Sequence, residues 1–345
     1  MKTKIRLMIV CFLMLVSFAG CSEVEKSQVE NVKQDEEKTV IGMSFDSFVI
    51  ERWQRDRDVF VSTAKEYGAQ VNVQTANGEV EEQIKQIEYF IKKQVDAIVI
   101  VAIDADELTD VVIKAKKAGI PVICYDRLVR NADADLYISF DNEEVGAKMA
   151  AALFLQAGTG ANVIKVCGPD SDYNVSMVDE GFMRVCDAYR GKVIGSVNCE
   201  NWRAEEAYSY ISDNIELVKQ ADAIMCGNDS LAGEVIRALA ERRLAGTIPV
   251  VGQDADLEAC QRIIEGTQLM TVYKPVEKLA KAAAEYTVAL ATGEELDNQN
   301  VFFDGTYQIP YVNLKPIHVN KENIDQEIID TGFHIKEDIY LNMNK

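Results

Sequence analysis

The sequence predicts an α/β protein built as two doubly wound parallel-sheet domains in series, with a ligand cleft between them. Three observations predict it. Short apolar β-like runs alternate with helical stretches through most of the chain. The alternation restarts after Asp141-Asn142. Run after run ends in a small polar cluster: Ser44-Phe45-Asp46, Tyr125-Asp126-Arg127, Asp141-Asn142, Gly168-Pro169-Asp170, Gly227-Asn228-Asp229 and Gly252-Gln253-Asp254. Open parallel sheets bind ligands at the carboxyl ends of their strands. Two such sheets facing each other would line one cleft with carboxylates, amides and guanidinium groups, which suits a small, neutral, hydroxyl-rich ligand.

The elements follow in order. Val40–Phe45 reads as a strand, followed by a helix over about 50–67 that stops at Gly68. Val71–Thr75 is the second strand, turned by Asn77-Gly78. Val80, Ile84, Ile87 and Ile91 recur at helical spacing. Ala97–Ile103 is wholly apolar, as a strand covered on both faces should be. Asp106 is placed to cap a helix running to Gly119. Pro121–Tyr125 and Leu136–Phe140 are the fourth and fifth strands. A helix then leads to Gly158-Thr159-Gly160, and strands follow at Asn162–Cys167, Val193–Val197, Ala223–Cys226, Ile248–Val251 and Gln268–Tyr273. After about Glu295 the alternation fades. Hinges are expected near Asp141-Asn142, near Lys274-Pro275 and near Gly305. This gives one lobe over 39–142 plus 275–305, and another over 143–274 plus 306–345.

The first residues have a separate task. Lys2, Lys4 and Arg6 precede an apolar run from Leu7 to Phe18 that is too short to span a bilayer. Phe18-Ala19-Gly20-Cys21 then resembles a bacterial lipobox, so 1–20 is read as a lipoprotein signal peptide and Cys21 as the lipidated residue. The charged stretch 21–38 reads as a solvated tether. The protein is therefore expected outside the cytoplasm, anchored to the cell membrane by lipid.

Composition and missing motifs exclude several functions. The formal net charge is −20, which argues against nucleic acid as partner. The eight cysteines form no CxxC pair, so a zinc knuckle is not expected. A Cys186–Cys199 bridge is possible in an oxidising compartment. The two histidines, His318 and His334, lie in the irregular C-terminal part and read as surface or packing residues. There is no GxSxG elbow, and Gly158-Thr159-Gly160 precedes a strand rather than a helix, so it is no phosphate loop. The pairs Asp104/Asp106 and Asp254/Asp256 lack EF-hand spacing and are better read as helix caps. No enzyme activity and no cofactor are expected. A glycosidase carboxylate pair stays open on spacing alone.

Binding residues are more legible. Arg52 opens the first helix, where a cation is mildly unfavourable unless it has another task. Trp53 beside it and Trp202 in the second half offer flat faces for the C–H side of a sugar ring. Asp126-Arg127 pairs a carboxylate that accepts from hydroxyls with a guanidinium that keeps it ionised. Asn228 and Asp254 occupy equivalent strand ends, and Lys274 sits where the chain crosses back.

With these residues the chain resembles the type I periplasmic sugar-binding proteins of ABC importers, which have a Venus-flytrap fold. The motifs are Glu51-Arg52-Trp53-Gln54, Tyr125-Asp126-Arg127, Tyr137-Ile138-Ser139-Phe140-Asp141-Asn142, Gly252-Gln253-Asp254-Ala255-Asp256-Leu257, Met270-Thr271-Val272-Tyr273-Lys274-Pro275 and Gly332-Phe333-His334. The resemblance covers 39–336. It implies three interdomain crossings, closure on a monosaccharide such as D-xylose, and a monomer. Arg52, Asp126 and Arg127 would hydrogen-bond the sugar from the first lobe. Asp172, Asn174, Asn228, Asp254 and Lys274 would do so from the second lobe and the crossing, with Trp53 and Trp202 sandwiching the ring. Residues 168–177 keep Asp172-x-Asn174 but otherwise depart from the family pattern, as do 198–201 before Trp202. The membrane partner would be the permease of an ABC importer, or a sensor histidine kinase or chemoreceptor reading the same closed form.

Overall fold

The computed structural model describes residues 38–297 and 300–343. The stretch read as a signal peptide, Cys21 and nearly all of the stretch read as a tether lie outside the described residues.

The first sheet has the order β11-β12-β5-β4-β3-β1-β2. Its strands are β1 (Val40–Phe45), β2 (Gln70–Thr75), β3 (Ala97–Ile100), β4 (Val122–Tyr125), β5 (Leu136–Phe140), β11 (Val301–Phe303) and β12 (Gln308–Leu314). The second sheet has the order β13-β10-β9-β8-β6-β7. It contains β6 (Asn162–Cys167), β7 (Lys192–Asn198), β8 (Ala223–Cys226), β9 (Val250–Gln253), β10 (Met270–Tyr273) and β13 (Ile317–Val319). Pairing is parallel except at the edges, where β11 runs against β12 and β13 against β10. The helices are α1 (Arg52–Glu66), α2 (Val80–Lys93), α3 (Thr109–Lys117), α4 (Asn142–Ala157), α5 (Tyr173–Ala188), α6 (Ala204–Asp213), α7 (Ile215–Val218), α8 (Asp229–Ala240), α9 (Leu257–Glu265), α10 (Val276–Ala291) and α11 (Lys336–Ile339). Two doubly wound lobes result, as the alternation predicts.

Local physics sets where elements stop. All four residues of β3 are buried, yet the strand ends at Ile100 although the apolar run continues to Ile103. The Val101 N–H still donates to the Ser44 carbonyl of β1 at 2.9 Å, and beyond it the chain binds a side chain. Gln83 of α2 donates to the Val101 carbonyl at 2.9 Å and accepts from the Ile103 N–H at 2.9 Å. Asp106 does not cap α3. Asp104 accepts from the N–H groups of Asp106 and Glu107 at 2.8 Å each, and the helix begins one turn later at Thr109. Where α4 meets α5 the backbones touch. A Cβ on Gly146 would lie 1.9 Å from the Val178 carbonyl oxygen, and one on Gly181 would lie 1.9 Å from that of Glu143.

The chain crosses between lobes three times. β5 leads into α4, which packs over β8, β9 and β10, and β10 leads through Lys274-Pro275 into α10, which packs against α1. The third crossing differs from the expectation near Gly305. Gly305 lies in the turn of an antiparallel hairpin, and β12 pairs with β5 (Val312 opposite Ile138), so 306–314 belongs to the first lobe. The crossing falls between Leu314 and Ile317.

Cys186 and Cys199 are both free and buried, in different core clusters, as are the other four described cysteines. His318 sits half-buried in β13, and His334 meets the Ala255 carbonyl at 2.8 Å through Nε2. No helix among the described residues is long and apolar enough to cross a membrane.

Candidate functional site

The clusters at the strand ends converge. Arg52 and Trp53 form the first turn of α1, and Asp126 and Arg127 follow β4 directly. Across the cleft, Asp172 caps α5 and Asn174 lies in its first turn. Trp202 ends a 3-10 turn after β7, Asn228 caps α8, Asp254 follows β9 and Lys274 follows β10. All ten line one cavity, with about 490 Å³ of atom-free space counted out to its mouth. Most of the wall is buried: Arg52, Asp126, Arg127, Asp172, Asn228 and Lys274 are each 4% exposed or less.

Charges are woven across the cavity. Arg52 NH1 donates to Asp126 Oδ2 at 2.9 Å, and the same nitrogen is 3.9 Å from Asp254 Oδ1 on the other lobe. Arg127 binds Asp46 Oδ2 at 2.8 Å on its own lobe and Asp172 Oδ2 at 2.7 Å across the cleft. Asn174 Nδ2 donates to the Asp126 carboxylate at 3.2 Å, and is itself held by Asn142, whose Nδ2 donates to Asn174 Oδ1 at 3.0 Å. Lys274 Nζ stands 3.5 Å from Asp254 Oδ1. Farther along the rim, Ala105 N–H donates to the Ser171 carbonyl at 2.9 Å, so the lobes touch beyond the charged groups as well.

These surroundings split the carboxylates. Burial pushes Asp126 upward, but Arg52, Lys274 and Arg127 outweigh it and hold its carboxyl below the usual range. Burial wins at Asp46, Asp56 and Asp172, whose carboxyls are raised despite an arginine beside each.

Aromatic faces complete the wall. The Arg52 guanidinium lies 4.5 Å from the Trp53 ring centre, and that of Arg127 lies 5.5 Å from Trp53 and 6.0 Å from Trp202. Trp202 is seated on glycines. A Cβ on Gly168 would lie 2.3 Å from its ring, and one on Gly227 would lie 3.1 Å away. Four buried polar atoms of the wall have no hydrogen-bond partner in the protein: Trp53 Nε1, Trp202 Nε1, Gln253 Oε1 and Asp254 Oδ1. Such groups cost about 1–3 kcal/mol each when left unsatisfied; Asp254 Oδ1 is offset in part by the charges of Lys274 and Arg52 beside it.

Backbone strain collects at the same place. Asp126 has φ +61°, Trp202 +58° after Asn201 at +50°, and Asp254 +99° before Ala255 at +58°. Each conformation of this kind costs about 1–3 kcal/mol and persists only when neighbours impose it. At Asp126 the neighbours are β5: its N–H donates to the Ile138 carbonyl at 2.8 Å, and Ser139 Oγ donates to its carbonyl at 2.7 Å. At Asp254 the N–H donates to the Val272 carbonyl at 2.8 Å, and the next N–H, of Ala255, donates to Thr271 Oγ1 at 3.2 Å.

Sequence reasoning missed three contributors. Asp46 and Gln253 stand in strand-end clusters, and that position was their only signal. Asp56 had a signal in its spacing, four residues after Arg52 on one helix.

Residues 41–295 match the family model described as periplasmic binding protein domain. The chain belongs to that family. Two relatives within it match along nearly their whole length. The D-xylose-binding periplasmic protein of Haemophilus influenzae is 42% identical over 305 residues, 87% of this chain and 92% of its own. The protein of the same name from Escherichia coli is 40% identical over 314 residues, 90% of this chain and 95% of its own. Among solved structures, an ABC transporter solute-binding protein from Clostridium phytofermentans with bound β-D-glucose superposes with a TM-score of 0.79 at 27% identity, covering 87% of this chain and 99% of that one.

Proposed function

We propose that this protein is a lipid-anchored extracytoplasmic receptor that captures D-xylose by closing its two lobes and delivers it to an ABC importer. The observation that carries the reading is the chemistry of one cavity wall. Two indole N–H donors and two oxygen acceptors there lack hydrogen-bond partners in the protein, beside two arginines, a lysine and three carboxylates. Sugar hydroxyls both donate and accept, so one polyhydroxy ring can satisfy donors and acceptors together. Trp53 and Trp202 supply the apolar faces. The names of the two relatives support xylose as the sugar. Several hydrogen bonds to charged groups, about 1.5–3 kcal/mol each, suffice for micromolar affinity or tighter.

Delivery requires that the sugar leave unchanged, so the protein acts as a binder without turnover. Closure follows from the layout: binding groups come from both lobes and the chain crosses between them three times. The importer's permease would then read the closed pair of lobes. Anchoring rests on Cys21 at the end of the apolar leader. Replacing it with Ser should move the protein from the membrane fraction to the soluble fraction and abolish incorporation of labelled fatty acid. Unchanged membrane association and labelling would remove the anchor from the account.

Tryptophan fluorescence tests the binding itself. The chain has two tryptophans, and both line the cavity, so the whole signal reports the site. D-xylose should shift the emission saturably. An emission indifferent to millimolar D-xylose, D-glucose, D-ribose and D-arabinose would overturn the reading.

A further inference from the structure

We infer that Asp56 is a positioning residue that fixes the guanidinium of Arg52 and, through it, the hydroxyl pattern the cleft accepts; the inference rests on the sugar-receptor reading above. Asp56 lies one helical turn after Arg52 on α1, is fully buried, and is not part of the cavity wall. Its two oxygens take the side of the guanidinium fork. Nε donates to Oδ2 at 3.1 Å and NH2 donates to Oδ1 at 3.0 Å. A bidentate pair of this kind fixes the plane of the guanidinium as well as its place.

The other end of Asp56 is fixed too. Tyr125, the last residue of β4, donates its hydroxyl to Asp56 Oδ1. The Tyr125 ring stands edge-on to Phe60 at 6.4 Å, which orients the hydroxyl. The next residue is Asp126, which takes a hydrogen bond from Arg52 NH1 at 2.9 Å. Two adjacent residues at one strand end therefore hold the same guanidinium, one directly and one through Asp56.

Donor counting shows what this achieves. A guanidinium has five N–H groups. Two are taken by Asp56 and one by Asp126. One N–H on each terminal nitrogen is left for the cavity, in a fixed plane. Without Asp56 the group could turn about its last bond and offer other combinations of donors.

The arrangement is costly as a fold device. Burial raises the Asp56 carboxyl even with Arg52 against it. Buried ion pairs of this kind often give no net stability over apolar packing. Orientation of Arg52 is what the pair provides that apolar packing would not.

The test is Asp56→Asn, titrated with D-xylose and with its epimers D-ribose and D-lyxose, alone and in an Arg52→Lys background. Xylose affinity should fall about 10-fold or more. The preference for xylose over the epimers should narrow, and the Asp56→Asn effect should shrink to about 2-fold or less once Arg52 is Lys. Tyr125→Phe removes only the hydroxyl that holds Asp56; it should move selectivity the same way by less, and it decides the matter if Asp56→Asn does not fold. An equal loss for all three sugars, or an equal loss in both backgrounds, overturns the inference and leaves the receptor reading intact. Failure of the unmutated protein to bind any of the three overturns both.

Discussion

Replacing Asp126 with Asn isolates the charge at the centre of the site. The side chain keeps its shape, and Asn tolerates the φ of +61° that Ala would find strained. The carboxylate receives Arg52 NH1 at 2.9 Å and Asn174 Nδ2 at 3.2 Å, and each oxygen has a further lone pair for a sugar hydroxyl. Hydrogen bonds to a charged acceptor are about twice as strong as neutral ones. Two sugar contacts would therefore weaken by about 1 kcal/mol each. The mis-set Arg52 adds a similar amount, since the amide presents either a weaker acceptor or a second donor to it. The sum is about 2–4 kcal/mol, or a loss in affinity of roughly 30- to 1,000-fold. Isothermal titration with D-xylose at pH 7, together with a thermal melt to verify folding, measures it. A folded variant that binds within about 3-fold of the parent would refute the reasoning, because a charge held by Arg52, Arg127 and Lys274 would then be irrelevant to the ligand. Acid gives a second check. The Asp126 carboxyl is held below its unfolded value of 3.8, so its contribution to stability is present above pH 3.8 and is lost only as the pH falls through the folded value below that.

Gly168→Ala places a Cβ 2.3 Å from the Trp202 ring and must displace it. Overpacking of this kind costs about 1–3 kcal/mol, so the variant should bind D-xylose about 10-fold or more weakly and shift the tryptophan emission of the sugar-free protein. Unchanged emission and affinity would show that Trp202 is not seated on Gly168. Burial pushes the Asp229 carboxyl up to about 7 and raises that of Asp256 well above its usual range, with repulsion from Asp254 adding to both and from Asp229 adding to Asp256. The folded state then binds a proton near pH 7 that the unfolded state does not, so stability is greater below the folded pKa and is lost as the pH rises through it. The unfolding midpoint should be higher at pH 6.5 than at pH 8, and Asp256→Asn should reduce the difference. The two histidines, which burial holds below their usual pKa of 6.5, take up protons in the unfolded state across the lower part of this range and offset part of the gain. A midpoint that rises between pH 6.5 and 8 would contradict the assignment.

The fold was legible because its signals are local. Each lobe repeats an apolar strand, a polar strand end and an amphipathic helix, and the chain states that order residue by residue. The ten residues singled out from sequence share one cavity because strand ends in parallel sheets point the same way. What stayed hidden depends on partners distant in sequence. Gly305 reads as a break, but only the pairing of β12 with β5 shows that the chain turns back into the first lobe there. The same holds after β3: Val101, Ala102 and Ile103 look like strand, but a glutamine from α2 takes the Val101 carbonyl and the Ile103 N–H, and Arg127 takes the Ala102 carbonyl. Asp56 looks like half of an exposed helical ion pair until the burial of both partners is known. The positive φ values of Asp126, Trp202 and Asp254 are imposed by tertiary contacts, so none of those residue types announces them.

The most direct test of the central claim is isothermal titration of the protein with D-xylose, followed by D-glucose, D-ribose and D-arabinose. The account predicts saturable one-to-one binding of D-xylose at micromolar affinity or tighter, with the others weaker. No heat with any of the four sugars, from a protein that is folded and monomeric, would contradict it.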